Sequence, residues 1–123
     1  PFVTGRILND NIEAALEFGA ADTVIPATDT IVESLDSSFI SSIPARHLMY
    51  QGQTPQSFNI ELFIKSFGEL TDEQVSSLTD ACKIFTFRGV NVRLVEGEVY
   101  NMKITTISDY RIAQAVLEAK KSD

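Results

Sequence analysis

The chain has 123 residues, 44% of them hydrophobic, and carries 10 lysines and arginines against 17 aspartates and glutamates, a formal net charge of −7. A chain this acidic has no basic stripe that would bind the phosphates of nucleic acid or an anionic membrane surface. We therefore expect that it neither reads a nucleic acid sequence directly nor binds a membrane. The single cysteine excludes a disulfide within the chain, and the length predicts one domain over residues 1–123.

The first 45 residues are the less regular part of the chain. Short apolar stretches predict strands at 2–8, 23–25 and 30–32. Residues 12–19 fit two structures. Alanine and glutamate favour a helix ended by Gly19, whereas every second residue from 12 to 18 is apolar, as in a strand. Both alternatives remain open.

A serine-rich stretch follows at 34–44, with the apolar pair Phe39 and Ile40 among its serines. Such a composition is typical of a loop. It also fits a flexible arm that becomes ordered when a partner covers the two apolar side chains. We therefore take Phe39 and Ile40 as candidate interface residues.

The middle of the chain shows the clearest alternation. Residues 51–55, Gln-Gly-Gln-Thr-Pro, predict a turn. Beyond the turn, every second residue is apolar, which predicts a strand over 57–66 with one face against a core; these residues are Phe58, Ile60, Leu62 and Ile64.

A helix is predicted over 71–82. Thr71 and Gln74 have the spacing of a capping box, in which each side chain accepts a hydrogen bond from the other residue's backbone N–H. Asp72 and Glu73 add negative charge to the first turn, which the helix dipole favours. Apolar residues then recur on one face of the helix and include Cys82.

The C-terminal third predicts more strands. Residues 83–87, 90–94 and 98–106 alternate, with a hairpin turn at Glu96-Gly97 before the last of them. Residues 110–121 are in conflict. Their composition favours a helix with Asp109 as a possible cap, whereas their alternation favours a strand.

The sequence shows no catalytic, cofactor-binding or metal-binding motif. Cys82 and His47, the only cysteine and histidine, make a nucleophilic pair conceivable. Cys82, however, lies on the apolar face of the predicted helix, where a buried structural thiol is the better interpretation. His47 has no metal-ligand partners at a standard spacing.

In its C-terminal part the chain resembles the distal-tail-like and baseplate proteins of tailed bacteriophages, over about residues 46–119. Three features carry this resemblance. They are Arg46, Gly52 and Pro55 before an alternating strand, the helix at 71–82, and the segment from Tyr100-Asn101-Met102 to Ile104-Thr105-Thr106-Ile107-Ser108.

The resemblance implies an α+β fold, mainly an antiparallel β-sandwich or barrel with one helix packed on the sheet. It also implies that 110–121 is the closing strand. In function it implies a structural virion protein and not an enzyme, which forms a ring, possibly a hexamer, and binds other phage tail proteins. Its location would be the virion tail, assembled in the bacterial host cytoplasm. Pro1 fits removal of an initiator methionine and hence a complete small tail protein.

Under this hypothesis the interface includes Phe39, Ile40, Arg46, Tyr100 and Asn101. An unprotected sheet edge that pairs with a neighbouring subunit would help to close the ring. An alternative function is a small α+β ligand-binding or regulatory module, since a strand–helix–strand–strand core also suits that role. The third alternative is an enzyme that uses Cys82 and His47.

Overall fold

A computed structural model describes residues 1–122, which form an α/β fold. Five helices occur in this range: α1 (Gly5–Phe18), α2 (Ile60–Gly68), α3 (Asp72–Ser76), α4 (Cys82–Phe87) and α5 (Ile107–Ser122). The strands are β1 (Ala20–Pro26), β2 (Tyr50–Phe58) and β3 (Arg93–Glu96), and a 3-10 turn spans Arg46–Leu48. None of the helices in residues 1–122 is long and apolar enough to cross a membrane.

The three strands form one mixed sheet in the order β2-β1-β3. β1 pairs antiparallel with β2 and parallel with β3. Because side chains alternate along a strand, β1 presents Ala21 to α1 on one face and Asp22 toward α4 on the other. Ala14 of α1 and Val95 of β3 complete the small core with Ala21. The predicted β-sandwich or barrel with one helix is therefore wrong.

A buried polar network fixes α1 to the sheet. The Asn11 side-chain amide donates to Ile7 O at 2.9 Å and to the Thr23 hydroxyl at 2.7 Å. That hydroxyl donates in turn to Pro55 O at 2.7 Å. Burying a polar group without a hydrogen bond is costly, so these bonds favour the observed placement of α1 across β1 and β2.

The N-terminal segments differ from several predictions. The strand at 2–8 is wrong, because α1 begins at Gly5 with the Thr4 hydroxyl as its cap. For 12–19 the helix alternative is correct, and Gly19 ends α1 at φ 88°, a left-handed conformation that glycine adopts readily. β1 covers the predicted strand at 23–25, whereas 30–32 is not a strand.

Residues 33–42 form a small exposed hairpin. Glu33 and Ser42 pair as an isolated antiparallel bridge, with the Glu33 N–H donating to Ser42 O at 2.8 Å. At its tip the Asp36 carboxylate accepts from the backbone N–H groups of Ser38 and Phe39, both at 2.9 Å. Backbone and serine hydrogen bonds thus give shape to the segment predicted as a flexible arm.

That residues 1–123 form one domain stays a prediction.

The capping box at Thr71 is confirmed. The Thr71 hydroxyl accepts from Gln74 N at 3.2 Å, and the Gln74 side chain accepts from Thr71 N at 3.0 Å. The helix it begins is nevertheless short, because α3 ends at Ser76 and a new helix, α4, begins at Cys82. The single helix predicted over 71–82 is therefore wrong in its extent.

Three predicted strands in this half are absent from the described residues. The segment at 57–66 contains only the end of β2 and then α2, 83–87 belongs to α4, and 98–106 has no strand. Residues 51–55, predicted as a turn, lie inside β2. The strand predicted at 90–94 overlaps β3 by two residues.

Residues 110–121 are helical, so the closing strand implied by the phage resemblance is wrong. The start of α5 is fixed by a reciprocal pair. Thr106 Oγ1 accepts from Asp109 N at 3.1 Å, and the Asp109 carboxylate accepts from Thr106 N at 2.9 Å. Hydrogen bonds from Thr105 and Thr106 lower the pKa of Asp109 to about 2. Thr106 is therefore the N-cap and Asp109 the third residue of α5, so the helix predicted from composition is correct and the cap predicted at Asp109 lies three residues too late.

Candidate functional site

One cleft among the described residues lies between β2 and the loop after β3. Its volume is about 360 Å³. It is lined by residues of β2, by Ile25 of β1, by Asp80 and by residues of the loop after β3. Lys103 is the one cation among the lining residues, which are Ile25, Gln51, Gly52, Gln53, Thr54, Gln56, Asp80, Val99, Asn101, Met102 and Lys103.

A hydrogen-bond clamp holds the loop over the cleft. The Gln53 amide donates to Glu98 O at 2.8 Å, and its carbonyl accepts from Glu98 N and from the Asn101 side chain, both at 3.3 Å. Asn101, which is buried, also donates to Thr54 O at 2.6 Å. A Cβ atom on Gly97 would collide with Gln53 Oε1, so the clamp requires glycine there. The clamp therefore holds Asn101 against β2, two residues before Lys103, which lines the same cleft.

Asp22, Asp80 and Cys82 meet at one side of the cleft. One ligand atom of each lies within 4.8 Å of the others. Their polar atoms have protein partners, however. Gln56 donates to Asp22 at 3.2 Å and to Asp80 at 2.8 Å, and Cys82 N donates to Asp80 at 2.8 Å. These hydrogen bonds make the cluster a structural network, which holds the first residue of α4 next to β1.

The structure makes Cys82 a poor nucleophile. Burial, and then the nearby carboxylates of Asp22 and Asp80, raise the pKa of its thiol to about 12. The predicted buried structural cysteine is confirmed, since Cys82 is 7% exposed. The helix predicted over 71–82 would place Cys82 at its C-terminus, which is wrong because Cys82 is the first residue of α4. His47 is exposed in the 3-10 turn, and no hydrogen bond among the described residues joins it to Cys82.

We expect native Cys82 to react with iodoacetamide at pH 8 about a thousandfold more slowly than the same cysteine in urea. The thiolate is the reacting form, and a pKa near 12 leaves very little of it at pH 8. Mass spectrometry over a time course measures both rates. Equal rates in the native and unfolded chain would show that the thiol is not protected.

The candidate interface residues lie in separate places. Phe39 and Ile40 are at the hairpin tip, 77% and 61% exposed. Arg46 donates to Thr28 O at 3.3 Å. Tyr100 is about half exposed, whereas the adjacent Asn101 is buried under the cleft loop. The interface role of all five stays a prediction. For Asn101, its burial and its hydrogen bonds in the clamp already give it a structural role.

Sequence reasoning missed Gln53 and Lys103. Gln53 lies in the segment predicted as a turn, and Lys103 directly follows the Tyr100-Asn101-Met102 triplet. The signal that would have pointed to Lys103 is its position as an isolated cation between polar and apolar neighbours in an acidic chain. Its place at a cleft depends on β2, which is distant in sequence.

A sequence model of a known family matches residues 1–119; this family is described as 2-C-methyl-D-erythritol 4-phosphate cytidylyltransferase, IspD. Two solved structures are 29% identical to the chain and cover 96% of it. The 4-diphosphocytidyl-2C-methyl-D-erythritol synthase of Anaerococcus prevotii has a TM-score of 0.81 and is covered over 54% of its length. The 2-C-methyl-D-erythritol 4-phosphate cytidylyltransferase of Thermus thermophilus has a TM-score of 0.80 and is covered over 57%.

The chain thus spans about half the length of these relatives. The matches contradict the resemblance to phage tail proteins, since both the family and its solved structures are cytidylyltransferases. The predictions of a structural virion protein, a non-enzyme, a location in the virion tail and phage tail partners are therefore wrong. The short motifs behind that resemblance lie in the 3-10 turn and β2, in α3 and the start of α4, and in the loop that leads into α5.

Proposed function

The chain belongs to the 2-C-methyl-D-erythritol 4-phosphate cytidylyltransferase family, and from that membership we propose that it supplies the acceptor-binding cleft of such an enzyme. The acceptor named by the family is a short polyol with one phosphate. In our proposal its phosphate binds Lys103, and its hydroxyl groups lie along β2. The observation that carries this proposal is a lysine that lines a cleft whose loop is clamped to β2.

Electrostatics support this position for the phosphate. A chain of net charge −7 repels an anion at long range, so binding needs a local cation. Lys103 supplies that charge two residues after the clamped Asn101, and a backbone that is already held in place loses less entropy on binding than a mobile one. Gln51 offers an amide to the polyol, and Asp80 offers a carboxylate that can accept from its hydroxyl groups.

The relatives' descriptions outline the chemistry that we propose for the whole enzyme. The acceptor carries one phosphate, and the product named for the Anaerococcus prevotii enzyme carries a diphosphocytidyl group. An oxygen of the acceptor phosphate must therefore form a bond to the phosphorus of a cytidylyl donor. With CTP as the donor, the bond to pyrophosphate breaks and pyrophosphate leaves. The role of Lys103 is to hold the acceptor phosphate in position for this step.

Binding of the acceptor tests the proposed cleft. We expect titration with 2-C-methyl-D-erythritol 4-phosphate to shift the backbone NMR signals of Gln51, Asn101 and Lys103. The same polyol without phosphate should shift them much less, and inorganic phosphate should affect Lys103 most. No shift at millimolar acceptor, or shifts only outside the cleft, would contradict the proposal.

We further propose that the chain associates with copies of itself through the hairpin at 33–42. Phe39 and Ile40 present apolar side chains to solvent on a hairpin held by its own hydrogen bonds. An exposed apolar patch of this kind is typical of an interaction site. A ring, which followed only from the phage resemblance, is not proposed.

Phe39→Asp is expected to shift the chain towards the single-chain mass, because it places a charge in the proposed contact. Size-exclusion chromatography with light scattering over a dilution series measures this shift. Leu48→Asp is the matched control, since Leu48 is 64% exposed in the 3-10 turn outside the hairpin. A parent chain that is a single copy at the highest concentration would contradict self-association.

A further inference from the structure

The loop after β3 is attached to α1 as well as to β2. Arg6, in the first turn of α1, makes this second attachment. Its guanidinium donates to Glu96 O at 3.0 Å and to the Glu98 carboxylate at 3.3 Å, across 90 and 92 positions of the chain. Asp10, one turn further along α1, accepts from the same guanidinium at 2.9 Å and so orients it. One side chain thus joins the start of α1 to the end of β3 and the start of the loop.

The Glu96 carbonyl has a donor in Arg6 because of its place at the edge of the sheet. Gly97 N donates to Val24 O at 2.8 Å, which joins the end of β3 to β1. In a planar trans peptide the C=O and the N–H point in opposite directions, so Glu96 O points away from β1. β3 is the last strand in the order β2-β1-β3, and no strand among residues 1–122 lies on that side. Arg6 therefore supplies the hydrogen bond that a neighbouring strand would give.

Glu98 is held from two sides. Its backbone belongs to the clamp, in which Gln53 contacts both Glu98 N and Glu98 O. Its carboxylate turns to α1, where it accepts from Arg6 at 3.3 Å and from the Thr4 hydroxyl at 3.5 Å. The next residue, Val99, lines the cleft, as Gln53 does. The backbone of Glu98 thus adjoins the cleft, while its negative charge is held on the side of α1.

We propose that Arg6 is a positioning residue for the acceptor phosphate and that it acts through Glu98. Arg6 holds the Glu98 carboxylate against α1 and balances its charge. A released carboxylate would repel the phosphate and pair with Lys103, in a chain whose net charge is already −7. The inference rests on the proposed function, because it takes the phosphate site at Lys103 as given. It adds to that site a residue that does not line the cleft.

Arg6→Met tests this role in the 123-residue chain, because it removes the charge and the hydrogen bonds and keeps an unbranched side chain. We expect it to weaken binding of 2-C-methyl-D-erythritol 4-phosphate by about 3- to 6-fold, measured by isothermal titration calorimetry. Arg6→Gln, which keeps a neutral donor, should give the same loss, whereas Arg6→Lys, which keeps the charge, should bind within about 1.5-fold of the parent chain.

Arg88→Met is the matched control. Arg88 forms an ion pair with Glu69 at 2.6 Å, its side chain is exposed to a similar degree, and it does not line the cleft. We expect this variant to bind the acceptor within about 1.5-fold of the parent chain at 0.15 M salt, since it changes the net charge equally at a distance from the cleft.

Removal of the Glu98 charge separates positioning from a purely structural role. The double variant with Arg6→Met and Glu98→Gln should regain binding to within about 1.5-fold of the parent chain, because no carboxylate is left to release. Arg6→Met combined with Glu69→Gln removes a carboxylate elsewhere and should stay as weak as Arg6→Met alone. If Arg6 only stabilised the fold, loss of its partner Glu98 would not restore binding. Circular dichroism checks that each variant is folded.

Three results would overturn the inference. Arg6→Met or Arg6→Gln binds the acceptor as tightly as the parent chain, or Arg88→Met loses as much affinity as Arg6→Met, or Glu98→Gln restores no more binding than Glu69→Gln does. The proposed function fails separately, when the parent chain does not bind 2-C-methyl-D-erythritol 4-phosphate or binds it without Lys103.

Discussion

Lys103→Met is expected to weaken binding of 2-C-methyl-D-erythritol 4-phosphate by about 10- to 150-fold. A hydrogen bond to a charged group contributes about 1.5–3 kcal/mol, and each 1.4 kcal/mol changes a dissociation constant tenfold. Lys103 is the cation among the residues lining the cleft, so neighbouring groups there offer no second positive charge. Methionine keeps most of the side-chain volume. Isothermal titration calorimetry measures the change.

Lys65→Met is the matched control, because Lys65 is an exposed lysine in the last turn of α2 and does not line the cleft. It changes the net charge by the same amount. We expect the control to leave the dissociation constant within about twofold at 0.15 M salt, where charges more than about 8 Å apart are largely screened. Equal losses in the two variants would mean that only net charge matters and that Lys103 does not hold the phosphate.

Phe85→Ala is expected to lower the free energy of unfolding by about 3–5 kcal/mol, the usual cost of removing a buried aromatic ring. Phe85 is fully buried in α4. Its ring centroid lies 5.5 Å from that of Phe58 in β2 and 6.4 Å from that of Phe63 in α2. The substitution thus removes the ring that joins these three elements. Urea unfolding followed by circular dichroism gives the change.

Phe39→Ala provides the comparison, because Phe39 is 77% exposed at the hairpin tip. We expect it to change the free energy of unfolding by less than about 0.5 kcal/mol at a concentration where the chain is a single copy. Similar losses for the two phenylalanines would show that the packing of Phe85 against Phe58 and Phe63 does not stabilise the fold.

The local signals of the sequence predicted one helix start and came within three residues of another. Thr71 and Gln74 form the predicted capping box, and Thr106, three residues before the predicted cap Asp109, is the N-cap of α5. Where the resemblance opposed composition, at 110–121, composition was right. Capping and propensity act over a few residues, so they can be read without knowing the rest of the fold.

Alternation misled the prediction where apolar residues were dense. Phe58 to Ile64 contains both a strand period and a helix period, because Phe63 adds an apolar residue between the others. The N-cap residue Asn59 decides between the strand and the helix. Asn59 Oδ1 accepts from Leu62 N at 3.0 Å, and Glu61 lies in the first turn of α2. An Asn three residues before Leu62 was thus a helix-start signal that the alternation obscured.

Local patterns in the sequence could not predict the cleft. Gln53 and Asn101 are 48 positions apart and meet only when β2 has paired with β1 and the loop after β3 has crossed it. The exposure of Leu8, Ile12 and Leu16 on α1 could not be predicted either, since these residues would belong to the core if another element covered them. Which stripe is buried depends on the partners present and not on the period alone.

The proposal that this chain supplies the acceptor site of a cytidylyltransferase is tested most directly by turnover. The measurement uses a chimera in which this chain replaces the matched half of the Anaerococcus prevotii enzyme. The chimera is incubated with CTP and 2-C-methyl-D-erythritol 4-phosphate and followed by ³¹P NMR. We predict a diphosphate product and release of pyrophosphate, with a KM for the acceptor that rises about 10- to 150-fold in Lys103→Met and stays unchanged in Lys65→Met. A folded chimera that forms no diphosphate product, or whose acceptor KM ignores Lys103, would contradict the proposal.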